Sequence, residues 1–322
     1  MIDRQGRNID YIRISVTDRC NLRCRYCMPA EGVQQVSHSE ILTFDEILRL
    51  AGIFGHAGIR HIKITGGEPL VRRGITGLIK DLKKIPGIET VTMTTNGILL
   101  AENLPALAEA GIDGINISLD TLQQDKYRLL TGTDGLHTVL DAIDAAGDYP
   151  QIKFKINTVT LADVNRSEVS AIAAIAATKS IDVRFIEMMP MGPGRDMAGY
   201  GQDEILDELT RTFGQPETAG AGTGPAAYYK FSDFKGRIGF ISPISHKFCG
   251  DCNRVRLTAQ GFLRTCLQCE EGADIRALLR SGADDEEILL AIEKAIYNKP
   301  EGHSFGMDED TAVSQIMSRI GG

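Results

Sequence analysis

Six short runs alternate apolar and polar residues: YIRISVT (11–17), HIKITGG (61–67), TVTMTTNG (90–97), GINISLD (114–120), IKFKINTV (152–159) and VRFIEMM (183–189). A period of two in β-branched segments predicts strands. Between them, FDEILRLAGIFGHAG (44–58), GITGLIKDLKKIPG (74–87), LPALAEAG (104–111), GLHTVLDAIDAAG (135–147) and SEVSAIAAIAATKS (167–180) space apolar residues by three and four. Most end in Gly, a common helix stop, so these are predicted helices. Strand and helix recur at intervals of roughly 30 residues, the rhythm of parallel βαβ units. About six such units are expected.

The alternation also predicts which way each strand faces. Arg13 sits between Ile12 and Ile14, Lys63 between Ile62 and Ile64, and Lys155 between Phe154 and Ile156. Thr94 follows Val91 and Met93, while Asn116 and Ser118 alternate with Ile115, Ile117 and Leu119. Crossover helices would cover the apolar face and leave a polar one. A closed eight-stranded barrel fills its lumen with branched apolar side chains. Polar inner faces therefore point to an α/β fold built as an incomplete, wider (βα)6 TIM-type barrel lined for a ligand. The alternative is an antiparallel sheet with one wet face, which the helix-length connections disfavour.

MMPMGPGRDMAGYGQ (188–202) and ETAGAGTGPAA (217–227) carry no period, and the second marks an expected boundary between a domain of residues 1–225 and one of 226–322. Beyond it, YYKFSD, GRIGFIS and RVRLTAQGFLRTCL read as short strands and a hairpin, ADIRALLRSG and DEEILLAIEKAIYN as two helices, and the tail GMDEDTAVSQIMSRIGG as partly helical.

A length of 322 residues allows one large domain or two smaller ones with ample cores. No stretch reaches eighteen uninterrupted apolar residues and the N-terminus lacks a signal-peptide pattern, so a soluble, cytoplasmic chain is expected. The formal net charge of −8 argues against a broad nucleic-acid surface and requires any anionic ligand to find a local basic pocket. All seven cysteines fall in two groups, Cys20, Cys24 and Cys27, then Cys249, Cys252, Cys266 and Cys269. In a reducing compartment such grouping points to metal rather than disulfides.

The first group follows the first strand, where a barrel's active-site loops emerge. A structural zinc site normally has four ligands, and the only nearby imidazole, His38, lies eleven residues on. An iron–sulfur cube also normally takes four cysteines, so three leave one iron open for chemistry. The second group, C-x2-C-x13-C-x2-C, has spacing that would also suit a zinc ribbon. No GxxxxGK[ST] occurs, which excludes a P-loop.

CNLRCRYC, with Tyr26 before its third cysteine, and TGGEP (65–69) after the second strand resemble the cysteine loop and methionine-binding stretch of the radical S-adenosylmethionine enzymes. The resemblance implies a 4Fe-4S cluster on Cys20, Cys24 and Cys27, with S-adenosylmethionine chelating its open iron and contacting Tyr26, Gly67, Ser118 and Met189. FCGDCNRVRLTAQGFLRTCL (248–267) is similar to the C-terminal motif of the branch that cyclises GTP at the start of molybdenum cofactor biosynthesis, and Gly321-Gly322 to a terminal dipeptide that enters the active site there. This likeness implies that the C-terminal extension carries a second 4Fe-4S cluster on Cys249, Cys252 and Cys266, with Cys269 spare and guanine on the open iron. It also implies GTP contacts at Arg13, Lys63, Thr94, Lys155, Arg254, Val255 and Arg256, and contributions to catalysis from Arg256, Gly321 and Gly322.

An electron donor and a downstream cyclic pyranopterin monophosphate synthase are the implied partners. Neither nucleic acid nor membrane is expected, and monomer and homodimer both stay open. Two rival readings are a radical enzyme that modifies a peptide with the help of an auxiliary cluster, and a zinc-stabilised nucleotide-binding scaffold.

Overall fold

A computed structural model describes residues 1–34, 36–220, 224–305, 317 and 320. All six expected strands form: β1 (Tyr11–Ser15), β2 (His61–Thr65), β3 (Thr90–Thr95), β4 (Gly114–Ser118), β5 (Lys153–Val159) and β6 (Asp182–Ile186). They pair in parallel in chain order. Six shorter strands follow: β7 (Glu217–Ala219), β8 (Ala227–Lys230), β9 (Ile238–Ile241), β10 (Arg254–Leu257), β11 (Phe262–Arg264) and β12 (Gly272–Asp274).

The C-terminal strands extend the sheet at both edges. β10 joins β1 in parallel and β9 joins β6 in parallel, so eight parallel strands stand where six were expected. Antiparallel partners finish each side, giving the order β12-β11-β10-β1-β2-β3-β4-β5-β6-β9-β8-β7. An uncovered edge strand would leave a row of unpaired N–H and C=O groups, which these additions satisfy. Polar side chains from β1 through β6 and from β10 line one cavity, so the sheet curls as a partial barrel.

The opposite face holds the core. Ile12, Ile14, Ile62, Ile64, Val91, Met93, Ile115, Ile117 and Ile156 are fully buried beneath the helical layer. Helix Phe44–His56 begins with a capping box, in which Thr43 Oγ1 accepts from Glu46 N and the Glu46 carboxylate accepts from Thr43 N at 2.7 Å. Its Ile47, Leu50, Ala51 and Phe54 pack on the sheet.

Two further helices form: Gln124–Thr131, with few apolar positions, and Gln202–Phe213, whose Ile205, Leu209 and Phe213 keep the four-residue spacing that would have revealed it. Conversely, the expected helix over 167–180 is broken into a turn at Arg166–Glu168 and two short helices, Val169–Ala173 and Ile175–Thr178. Buried Glu168 is drawn aside to accept hydrogen bonds from the Thr121 hydroxyl, Leu122 N and Lys126. Among the described residues no helix is long and apolar enough to cross a membrane. The expected helix in the tail, and Gly321 and Gly322, lie outside the described residues.

Glu68 ties β2 to β3. Its carboxylate accepts from Leu70 N at 3.0 Å, the Thr95 hydroxyl at 2.8 Å and Asn96 N at 2.7 Å, while it is fully buried. Burial raises this carboxyl from 4.5 to about 7, against the lowering effect of those bonds. Glu68→Ala would orphan three donors and cost about 3 kcal/mol in urea unfolding. Between pH 4.5 and about 7 the folded carboxyl keeps a proton that the unfolded one has lost. Its contribution to stability therefore falls as pH rises through that window, and Glu68→Gln should flatten that part of the slope.

Candidate active site

The first cysteine loop is set by its backbone. Cys27 N at 2.8 Å and Met28 N at 3.0 Å both donate to Cys24 O, which makes a tight turn. Arg23 N and Arg25 N donate to Thr131 O and Leu130 O at 2.8 and 2.9 Å, fastening the loop to the end of helix Gln124–Thr131. Burial raises the Cys20 thiol, and burial together with the neighbouring Cys27 raises Cys24 well above the usual range. Three such thiolates are stable together only on a cationic centre, and soft sulfur donors suit iron–sulfur ligation. Among the described residues no three His, Cys, Asp or Glu gather closely enough for a single metal ion. A cluster has no such requirement, because each thiolate takes its own iron.

The Gly-Gly-Glu-Pro stretch lies directly against this loop. Gly66 has φ 156°, and a Cβ there would sit 2.6 Å from Thr17 O. At Gly67 an added Cβ would meet Arg19 O at 2.2 Å. Only glycine allows Gly67 N and Glu68 N to donate to Thr17 O and Arg19 O, both at 2.8 Å. Gly67 lines the cavity, as do Tyr26, Ser118 and Met189. The Tyr26 phenol donates to Asp120 Oδ2 at 2.7 Å, and burial lifts the Asp120 carboxyl to about 6 despite that bond and another from Val159 N.

Register assembles the cations. Arg256, Arg13 and Lys63 are neighbours across β10, β1 and β2, and Thr94, Asn116 and Lys155 across β3, β4 and β5. All six line a cavity of about 530 Å³, within the range of small-molecule sites. Burial lowers Arg13 to about 10. Lys63 lies well below its ordinary range through burial, then through Arg184, Arg13 and Lys155. Arg256 is likewise depressed by burial and by Arg13 and Arg254.

Arg13 Nε is buried with no hydrogen-bond partner. Among the described residues no carboxylate forms an ion pair with Arg13, Lys63, Lys155, Arg184 or Arg254. Buried like charges without counter-ions are costly, and an anion in the cavity removes that cost.

Val255 differs from its neighbours, and any contact it makes with a ligand would be through its backbone. It pairs with Ile12 and is fully buried in the core, so its side chain faces away from the cavity that Arg254 and Arg256 line. The period of two makes this unavoidable, because neighbours in a strand face opposite sides.

Cys249, Cys252 and Cys266 line the same cavity as the first group, whereas the wall does not include Cys269. A hydrogen bond with Cys269 is the largest influence on the Cys266 thiol, holding it down at about 5 and Cys269 up. Burial alone would raise Cys252, but Lys299 and Arg254 outweigh it and leave the thiol below its usual range.

Lys299 is one residue that sequence reasoning missed. It is 2% exposed, and its Nζ donates to Arg254 O at 2.9 Å and to Thr265 O. Nothing local to Asn298-Lys299-Pro300 signals this role. Arg184 was also missed, although it stands between Val183 and Phe185 in the same alternation that singles out Arg13. Its Nε and Nη2 share Asn157 Oδ1 at 2.9 and 2.6 Å.

A curled parallel sheet with a three-thiolate loop after its first strand and a glycine clamp after its second is the architecture of a radical S-adenosylmethionine enzyme. The family model for the Radical SAM superfamily matches residues 14–176, and that for Molybdenum Cofactor Synthesis C matches residues 181–305. Proteins named GTP 3′,8-cyclase from Clostridium perfringens, Petrotoga mobilis and Moorella thermoacetica are 43%, 42% and 41% identical to the chain, each alignment covering 100% of both partners. The chain belongs to the GTP 3′,8-cyclase family of radical S-adenosylmethionine enzymes.

Among solved structures, Streptococcus suis SuiB bound to precursor peptide SuiA aligns with TM-score 0.64 at 14% identity, covering 91% of this chain and 66% of that one. SuiB bound to S-adenosylmethionine aligns with TM-score 0.61 at 15% identity, covering 90% and 68%. At such identities the likeness concerns the fold alone. Superfamily membership implies one 4Fe-4S cluster and S-adenosylmethionine, and the first cysteine group and glycine clamp are the residues that fit them.

Gly67→Ala must push the cysteine loop outward to relieve the 2.2 Å approach to Arg19 O. Equilibrium dialysis should show S-adenosylmethionine affinity falling by about tenfold or more, with loss of iron from the first cluster.

Proposed function

We propose that the chain is a GTP 3′,8-cyclase, converting GTP to 3′,8-cyclo-7,8-dihydro-GTP at the first step of molybdenum cofactor biosynthesis. The observation that carries this reading is that both cysteine triads face a single cavity together with Arg13, Lys63, Lys155, Arg184 and Arg254, none of which pairs with a carboxylate among the described residues. The full-length relatives bearing that name support it. When bound, the cofactors would supply one-electron cleavage of S-adenosylmethionine and removal of the 3′-hydrogen of GTP; C3′ would bond to C8 as the C8–N7 double bond opens, and one electron from the external donor with one proton at N7 would complete the dihydro product.

The chain's own residues bind and orient. Arg13, Lys63, Lys155, Arg184, Arg254 and Arg256 offset the triphosphate, with guanidinium groups able to grip two oxygens at once. Thr94 adds a hydroxyl on the same wall. Cys249, Cys252 and Cys266 would hold a second 4Fe-4S cluster and leave one iron open to guanine. Tyr26, Gly67, Ser118 and Met189 would hold S-adenosylmethionine at the other triad, so the two ligands would share one cavity. An external electron donor and a separate synthase that consumes the product complete this reading. A peptide substrate would need a strongly acidic segment to offset the same cations.

Anaerobic reconstitution should load about eight irons per chain, the content of two cubes. Adding dithionite, S-adenosylmethionine and GTP should then yield 5′-deoxyadenosine and cyclised GTP. Zinc without deoxyadenosine would support a scaffold instead, and deoxyadenosine without GTP turnover a peptide-modifying enzyme. Lys63→Met should raise the melting temperature of nucleotide-free protein, because it removes a buried charge facing Arg184, Arg13 and Lys155. The same change should weaken GTP binding by roughly ten- to a hundredfold, the loss of one charge-assisted contact.

Cys269 is the spare thiol, hydrogen-bonded to Cys266 and absent from the cavity wall. Cys269→Ala should keep both clusters and turnover. Loss of about four irons would instead make it a ligand.

A further inference from the structure

Residues 1–9 lie outside both matched family segments, yet they reach the second cysteine triad. They fold as a hook. Ile9 N donates to Met1 O at 2.7 Å, Ile2 and Asn8 form an antiparallel bridge, and Gly6 turns the chain at φ 79°. Inside the hook, Arg7 Nε donates to Asp3 Oδ2 at 2.6 Å, with side chains 6% and 0% exposed. Asp3 Oδ1 accepts from Arg7 N at 2.9 Å and Gln5 N at 3.0 Å, which fixes the carboxylate.

The rest of the guanidinium points across the molecule. Arg7 Nη1 donates to Cys249 O at 2.8 Å and Glu301 O at 2.9 Å. Nη2 donates to Pro300 O at 2.6 Å, with Gln5 Oε1 at 3.3 Å and Lys299 O at 3.4 Å. All five N–H groups are therefore used. One of the segments it grips carries the first cysteine of the second triad, and the other is the turn that begins at Lys299.

That turn passes the constraint on. The Lys299 ammonium holds the carbonyls of Arg254 and Thr265, two residues after Cys252 and one before Cys266. Gly302 lies so close to Cys249 that an added Cβ would be 3.3 Å from the cysteine Cβ. Two buried cations thus reach the backbone beside all three cysteines through carbonyl groups, and neither occupies a thiolate.

We propose that the Asp3–Arg7 pair is a positioning element for the second cysteine triad, fixing Cys249 and the Lys299 turn so that the three thiolates are preorganised for a cluster. This rests on the proposed second cluster. A buried ion pair contributes little net stability, so its consequence here is geometric. Lysine cannot replace Arg7, because one ammonium with three donors cannot span carbonyls on two segments and the Asp3 carboxylate together.

The test compares wild type, Cys249→Ala, Arg7→Lys and Asp3→Asn as full-length chains reconstituted anaerobically. Iron per chain, cluster spectra after dithionite reduction and 5′-deoxyadenosine formed without GTP are recorded. Expected are about eight irons in wild type and about four in Cys249→Ala. Arg7→Lys should load the second cluster several-fold more slowly and fall toward the Cys249→Ala content, while keeping the first-cluster spectrum and S-adenosylmethionine cleavage. Asp3→Asn, which retains the carbonyl contacts, should lie between and serves if the Arg7 variant does not fold.

Wild-type iron content and loading rate in Arg7→Lys, with Cys249→Ala at half, would overturn this proposal alone. Equal loss of both clusters would overturn it too, by making the pair a general support of the fold. About four irons in wild type, with none lost in Cys249→Ala, would remove the second cluster and the proposal with it.

Discussion

The site depends on one property of extended backbone: successive side chains face opposite sides. Along β1 this sends Ile12 and Ile14 into the helical layer and Arg13 into the cavity, and β2 and β5 repeat the arrangement with Lys63 and Lys155. The core and the binding wall are therefore the two faces of one sheet. A one-residue slip in any central strand would bury a charge among isoleucines, so hydrophobic packing fixes the register that aligns Arg256, Arg13 and Lys63.

Curling such a sheet concentrates positive charge in a chain that is acidic overall. Arg13 and Lys63 are depressed by burial and by one another's neighbours, which marks the cavity as incomplete without an anion. The two cysteine groups differ in the same electrostatic terms. The first has raised thiols with little cationic help, whereas Lys299 and Arg254 lower Cys252 in the second. Protein cations therefore stabilise thiolates in the second group, help that the first group largely lacks.

Much of this was legible in the sequence. Strand facing follows from local alternation, which would also have turned Val255 away from the cavity and brought Arg184 into it. The cysteine spacing and the Gly-Gly-Glu-Pro stretch are local too, since tight turns and a backbone approach that excludes a Cβ leave a mark on residue identity. That Glu168 would sit in a separate turn before Val169 was not legible, because its carboxylate bonds to Thr121, Leu122 and Lys126, far back in the chain.

By itself the sequence determined which side chains of β1 to β5 face the cavity, where the first triad sits and that six βα strands form a parallel sheet. Only tertiary structure decided that β9 and β10 would complete its edges, that both triads would share a cavity, and that Arg7 and Lys299 would grip the second triad. The physical reason is range. Periodicity and turn chemistry act within a few residues, whereas a carbonyl at Cys249 meeting a guanidinium at Arg7 requires the chain to close 242 residues of separation.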